Sequence, residues 1–191
     1  MKNFLKGVTF LLLFNVPLFC PGQSATAANY KRSEMIISVP DVVLINQDNE
    51  KVPLRPLLQG TGPLVLDFIY VSCTTICPIL SAGYANLQNK LGAENKDIPL
   101  LSITIDPEND TPEVMKKHLE RYGAQPGWTF LTGSHTDVNN VMNAFGAYFA
   151  DKMWHRPLNF IRTPEEGKWI RIDGMISGND LLHEIEEARK Q

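Results

Sequence analysis

Cysteine is scarce in this sequence. Three occur in 191 residues, and Cys20 falls inside an N-terminal segment with the features of a leader. That leaves Cys73 and Cys77. Two cysteines cannot supply a four-thiolate zinc or iron–sulfur site. Joined as a disulfide they would enclose almost no chain, so the bridge would add little stability. A chemical role accounts for the pair better than a structural one. Basic clusters are missing too: 18 Lys and Arg are spread among 21 Asp and Glu, for a formal charge of −3. Loss of the leader removes Lys2 and Lys6 but no acid, which takes −3 to −5. That balance argues against nucleic acid as a partner. There is no internal repeat or low-complexity stretch, and no apolar run of comfortable membrane-spanning length.

The leader itself is legible. Lys2 and Lys6 precede an apolar run broken by Asn15 and Pro17, and Ala25-Thr26-Ala27 is a small-residue cleavage signal. Residues 1–27 therefore read as a signal peptide, with the mature chain starting near Ala28; left uncleaved, the segment would act as an anchor. Cys20 follows Phe19, a bulky residue where lipid-attachment sites need a small one, so it reads as an ordinary apolar residue of the leader. The expected location is the periplasm or the outer face of the cytoplasmic membrane, where thiols oxidise readily. Residues 28–40 are polar and read as a flexible lead-in. Residues 41–191 are the length of one domain, expected as a monomer.

The chain is organised around residues 64–80. Leu64 to Val71 is apolar apart from Asp67, the signature of a strand buried on both faces. After a break at Ser72–Thr75, Leu80, Tyr84, Leu87 and Leu91 mark one face of a helix, and Gly92 stands at its C′ position. Cys73 and Cys77 thus fall where a strand hands over to a helix N-terminus. Unpaired N–H groups and the helix dipole favour negative charge there, hence thiolate. The i, i+4 spacing puts the sulfurs about one turn apart. They could close as a disulfide or share one soft ion.

Flanking elements complete an α/β pattern. Asp41 to Leu54 reads as a hairpin turning at Gln47–Glu50, and Pro56 to Gly60 as a short helical turn or loop. Ile98 to Ile105 is a second buried strand, with Asp106 to Asp110 as the loop at its C-terminal end, where open α/β sheets keep functional loops. Thr111-Pro112-Glu113 opens a helix by cap, proline and early acid. Its His118 is expected to be partly solvated. Trp128 to Leu131 is a short strand. Ser134 and Asp137 resemble a capping box, which leaves His135 on the surface. Residues 147–157 form a long excursion before two strands, Leu158–Arg162 and Lys168–Ile172. Leu181, Ile185 and Ala188 mark a last helix, with His183 exposed.

Strand, Ser-Cys-Thr-Thr-Ile-Cys-Pro and helix together resemble the Sco/SenC family of thioredoxin-fold copper chaperones, whose motif is Cys-x-x-x-Cys-Pro. Ile103 to Thr111 is similar to the family's strand ending in Asp-Pro-x-x-Asp-Thr. His155, with Pro164 and Gly167 after it, resembles the family's metal-binding His before a late β-hairpin. The resemblance runs from about Val39 to Glu187. It implies a thioredoxin-like α/β fold with an N-terminal β-hairpin and an inserted helix. It also implies a copper site, Cu(I) or Cu(II), at Cys73, Cys77 and His155. Soft thiolates suit Cu(I), and imidazole suits Cu(II) as well. Three departures stand out: Trp154 where the family often has Asp, Arg156 with its positive charge, and Pro157 and Asn159 in a strand that is usually apolar. Met153 could add a soft sulfur, although a methionine beside Trp154 more often serves packing.

Two functions follow from the resemblance. One is an exported copper chaperone serving the dinuclear copper site in a copper-bearing subunit of cytochrome c oxidase. The other is a thiol–disulfide reductase using Cys73 and Cys77 on that oxidase or another exported thiol protein. Contact with a membrane is expected only through an uncleaved leader or a membrane-bound partner. No constellation supports peroxide chemistry.

Overall fold

The computed structural model describes residues 29–60, 62–91 and 98–190. The leader, the cleavage signal, Cys20 and Gly92 lie outside them. The described part begins with β1 (Tyr30–Ile36), then a hairpin of β2 (Val43–Asn46) and β3 (Lys51–Pro53), then the single-turn helix α1 (Leu54–Leu58). The central run follows as β4 (Val65–Ile69), α2 (Cys77–Leu91), β5 (Leu100–Thr104), α3 (Pro112–Arg121), β6 (Trp128–Thr132) and α4 (His135–Ala144). It closes with β7 (Leu158–Arg162), β8 (Lys168–Gly174) and α5 (Gly178–Ala188).

The eight strands among the described residues form one sheet in the order β1-β8-β7-β4-β5-β6-β2-β3. The β4–β5 and β5–β6 pairs are parallel and joined by crossover helices, while β7, β8 and the hairpin run antiparallel. β4 and β5 are buried at every position, as their unbroken apolar runs require. Alternation along β4 divides the core. Val65 and Ile69 pack with Leu80, Tyr84 and Leu87 of α2, Met115 of α3 and Leu181 of α5. Leu64, Leu66 and Phe68 pack on the other side with Leu54 and Leu58 of α1 and Val138 and Val141 of α4. Each such side chain contributes about 1.5–3 kcal/mol of burial free energy.

Local signals act where expected. The Thr111 side chain accepts from the Val114 N–H at 3.4 Å, with Pro112 in the first turn, and Ser134 accepts from the Asp137 N–H at 3.0 Å. The β2–β3 turn places Asn49 at φ +63°, a left-handed conformation that asparagine tolerates.

Two expectations are overturned. Residues 28–40 are not simply a flexible lead-in: Tyr30–Ile36 pairs with β8 over seven residues, from Tyr30 opposite Gly174 to Ile36 opposite Lys168. Its charged residues are held sideways, with Arg32 Nε on Glu184 at 3.0 Å and Lys168 Nζ on Glu34 at 3.2 Å. His118 is buried, not partly solvated. Its Nε2 meets the Ser81 hydroxyl at 2.9 Å, and burial pushes its pKa down to about 4, helped by the Arg121 charge. His135 and His183 are exposed as expected. Among the described residues no helix is long and apolar enough to cross a membrane.

Candidate metal centre

At the C-terminal end of β4 the chain turns at Tyr70, whose carbonyl accepts from the Cys73 N–H at 3.2 Å. α2 starts four residues on, with Cys77 as its first residue. Only Cys77 is helical; Cys73 sits in the turn facing the helix N-terminus. Both are free thiols and both are buried, Cys77 completely. The electrostatics divide the pair. Burial pushes the Cys73 thiol up, but hydrogen bonds from the Thr75 hydroxyl and the N–H groups of Cys77 and Thr75 outweigh it and bring the pKa down to about 7. Thr75 Oγ1 lies 3.4 Å from the sulfur. For Cys77, burial dominates and the neighbouring Cys73 charge adds to it, so its pKa is raised. The expected ease of deprotonation therefore belongs to Cys73, which receives the N–H groups of the helix start.

His155 arrives from the far side of the sheet, 82 residues beyond Cys73. A single 3-10 turn, Lys152–Trp154, carries it, with the Asp151 carboxylate accepting from the Met153 N–H at 2.8 Å. His155 Nδ1 lies 2.6 Å from the Lys152 carbonyl. A carbonyl can only accept, so Nδ1 carries the proton and Nε2 presents a lone pair. That Nε2 is 3.3 Å from Cys77 Sγ and 3.9 Å from Cys73 Sγ. The three ligand atoms lie within 4.8 Å of one another. One ion bonded at about 2.3 Å to sulfur and 2.1 Å to nitrogen would need such separations. The neutral imidazole suits this role, and half-burial lowers its pKa further toward that form. The carboxylate missing at Trp154 is not needed to orient the ring, because a main-chain carbonyl does it. Arg156 is directed elsewhere, with Nη2 at 3.4 Å from Asp173 and its guanidinium over the Phe149 ring.

Other side chains hold this arrangement, and of these the sequence marked only the Asp106–Asp110 loop. Tyr70 packs edge-on to His155, ring centroids 5.0 Å apart. The Asp106–Asp110 loop grips both halves of the site. Asp110 accepts from the Val71 N–H at 3.2 Å and from the Thr104 hydroxyl, fixing the approach to Cys73. Asp106 pairs with Lys152 and accepts from Asn109 Nδ2 at 2.9 Å, fixing the turn that carries His155. The Asp-Pro-x-x-Asp-Thr stretch was the available signal for this pair; nothing local marked Tyr70 or Lys152.

Comparison with known proteins gives a consistent picture. The SCO1/SenC family model matches residues 37–166. The SCO1 protein homolog of Bacillus subtilis is 37% identical over 195 residues, covering 96% of each chain. The structure of BsSco, described as a member of the Sco family of cytochrome c oxidase assembly proteins with a disulfide switch, is 30% identical. It superposes with a TM-score of 0.67, covering 81% of this chain and 94% of that one. Bradyrhizobium japonicum ScoI with copper bound has the same fold, with a TM-score of 0.66 at 20% identity, covering 81% of this chain and 100% of that one. On its length of match, its fold and its near full-length relative, the chain belongs to the SCO1/SenC family.

Proposed function

We propose that this protein is an exported copper chaperone that holds copper through Cys73, Cys77 and His155 and delivers it to the dinuclear copper site of a cytochrome c oxidase. One observation carries the reading: the unprotonated Nε2 of His155 faces both cysteine sulfurs, at 3.3 and 3.9 Å. Two soft sulfurs hold Cu(I), and the imidazole extends the set to Cu(II). Three protein ligands leave a coordination position open for a recipient. The family relative solved with copper supports the same cargo. In this reading residues 1–27 direct export, and the folded unit includes β1, ahead of residue 41.

The test is copper binding by wild type and single variants. Cys73→Ser or Cys77→Ser should abolish binding of both oxidation states. His155→Ala should keep part of the Cu(I) binding, because two thiolates suffice for near-linear coordination, and lose the thiolate-to-Cu(II) absorption band. His135→Ala and His183→Ala should leave that band intact. A band unchanged in His155→Ala would remove His155 from the ligand set.

A second reading, thiol–disulfide exchange, is favoured by the divided pair. Cys73, with its pKa near 7, is the thiolate that attacks a target disulfide and releases one target thiolate. Cys77 then gives up its proton and displaces the second target thiolate. The protein's dithiol becomes a disulfide as the target's disulfide becomes a dithiol. Exchange survives His155→Ala; copper loading does not survive intact.

A further inference from the structure

Met153 stands two residues before His155, with 69% of its surface exposed. Methionine that serves packing is buried; this one is not. Its sulfur is nevertheless held in place. The Tyr70 hydroxyl donates to Sδ at 3.6 Å. The same phenol lies beside the Cys73 sulfur, and its ring stands against His155. Tyr70 is itself buried, so its hydroxyl reaches outward from a fixed base. The turn carrying His155 does not need the thioether: Asp151 holds the segment through the Met153 main-chain N–H. A soft, neutral sulfur is thus tethered at the rim of two buried thiols without a structural task.

We propose that Met153 is a transfer ligand for Cu(I), the outermost sulfur on the path between the Cys73–Cys77–His155 group and an external donor or acceptor. The inference rests on the copper reading above. Cys77 is fully buried and Cys73 nearly so, while Met153 is exposed, so an incoming soft ligand meets the Met153 sulfur before it meets either cysteine sulfur. A thioether binds Cu(I) less tightly than a thiolate and can both receive it and let it go. On release, a copper–Sδ bond forms as a copper–thiolate bond breaks. The second thiolate and the imidazole let go, and the copper–Sδ bond breaks in turn as the acceptor's ligand binds the ion. The Tyr70 hydroxyl leaves Sδ and turns to the vacated Cys73 sulfur. Copper stays in the +1 state, no electron moves, and the vacated thiolates take up protons from solvent. Trp154, 78% exposed, adds an apolar rim beside this exit.

The experiment measures Cu(I) exchange with bathocuproine disulfonate for wild type and Met153→Leu, in both directions, together with equilibrium affinity. Leucine keeps apolar bulk at a solvent-exposed position, so folding is unaffected. Loading and unloading should both slow by about three- to tenfold, a barrier change of up to about 1.4 kcal/mol, with affinity unchanged within about twofold. Unchanged rates in a copper-loaded protein overturn this inference alone. Weaker affinity with unimpeded release also overturns it, because Met153 would then be a resting ligand. A wild-type protein that takes up no Cu(I) overturns this inference and the copper reading together.

Discussion

Cys73 and Cys77 share a motif but not an environment. Cys77 is enclosed by the core beneath α2, while Cys73 receives the Thr75 hydroxyl and two main-chain N–H groups. Removing the hydroxyl isolates its share. Thr75→Val keeps the shape of the side chain, and the pH midpoint of Cys73 alkylation should rise from about 7 by about one unit, the worth of one hydrogen bond to a charged group. Mass spectrometry of the modified peptide checks it; an unmoved midpoint would show that the N–H groups act alone. At this scale the sequence was readable for the cysteines, because strand, turn and helix start are local features. His155 could be named only through the family resemblance. Its tautomer, set by the Lys152 carbonyl three residues back, needed the folded turn.

The element that joins the site is the loop after β5. Asp110 is buried and ties the Val71 N–H and the Thr104 hydroxyl to one carboxylate, whose pKa burial lifts to about 6. Asp110→Ala leaves two donors without an acceptor, and stability measured by urea unfolding should fall by about 3 kcal/mol. Lys152→Ala breaks a pair in which Asp106 is buried and Lys152 partly exposed, but Asn109 still donates to that carboxylate, so the stability loss should be smaller, about 1 kcal/mol. The same variant should loosen the His155 turn and lower Cu(II) retention in dialysis. Equal stability losses from the two would contradict this division of labour. Helices and central strands were legible here from capping and periodicity. β1 was not. It has no apolar alternation, and its pairing comes from main-chain bonds to β8 and from ion pairs with Glu184 and Lys168, partners far along the chain.

At the scale of the whole molecule, a buried carboxyl in the central strand couples folding to pH over a wide range. Asp67 of β4 lies opposite Asn159 of β7, fully buried, and burial raises its pKa to about 8 against an ordinary 3.8. The folded state therefore keeps a proton that the unfolded chain gives up above pH 3.8. Its contribution to stability is complete below that pH and is lost as pH rises through 8. Relative to Asp67→Asn, which cannot titrate, wild type should lose up to about 1.4 kcal/mol per pH unit inside this window. Urea unfolding of both proteins at pH 5 and pH 8 measures the difference, and parallel profiles would rule the coupling out. Asp67 and Asn159 each interrupt an apolar run in the sequence, yet nothing local indicates that they meet. The same limit applies throughout. The sequence by itself determined the buried strands β4 and β5, the capped helices, the hairpin and the Cys-x-x-x-Cys-Pro junction, because periodicity, capping and turn chemistry act between residues at most a few positions apart. Tertiary structure alone decided that His155 faces both thiols, that His118 is buried against Ser81 and that Tyr30–Ile36 is a strand. Each of these depends on the order in which eight strands line up, and that order brings together residues tens of positions apart to bury the two apolar faces of one sheet.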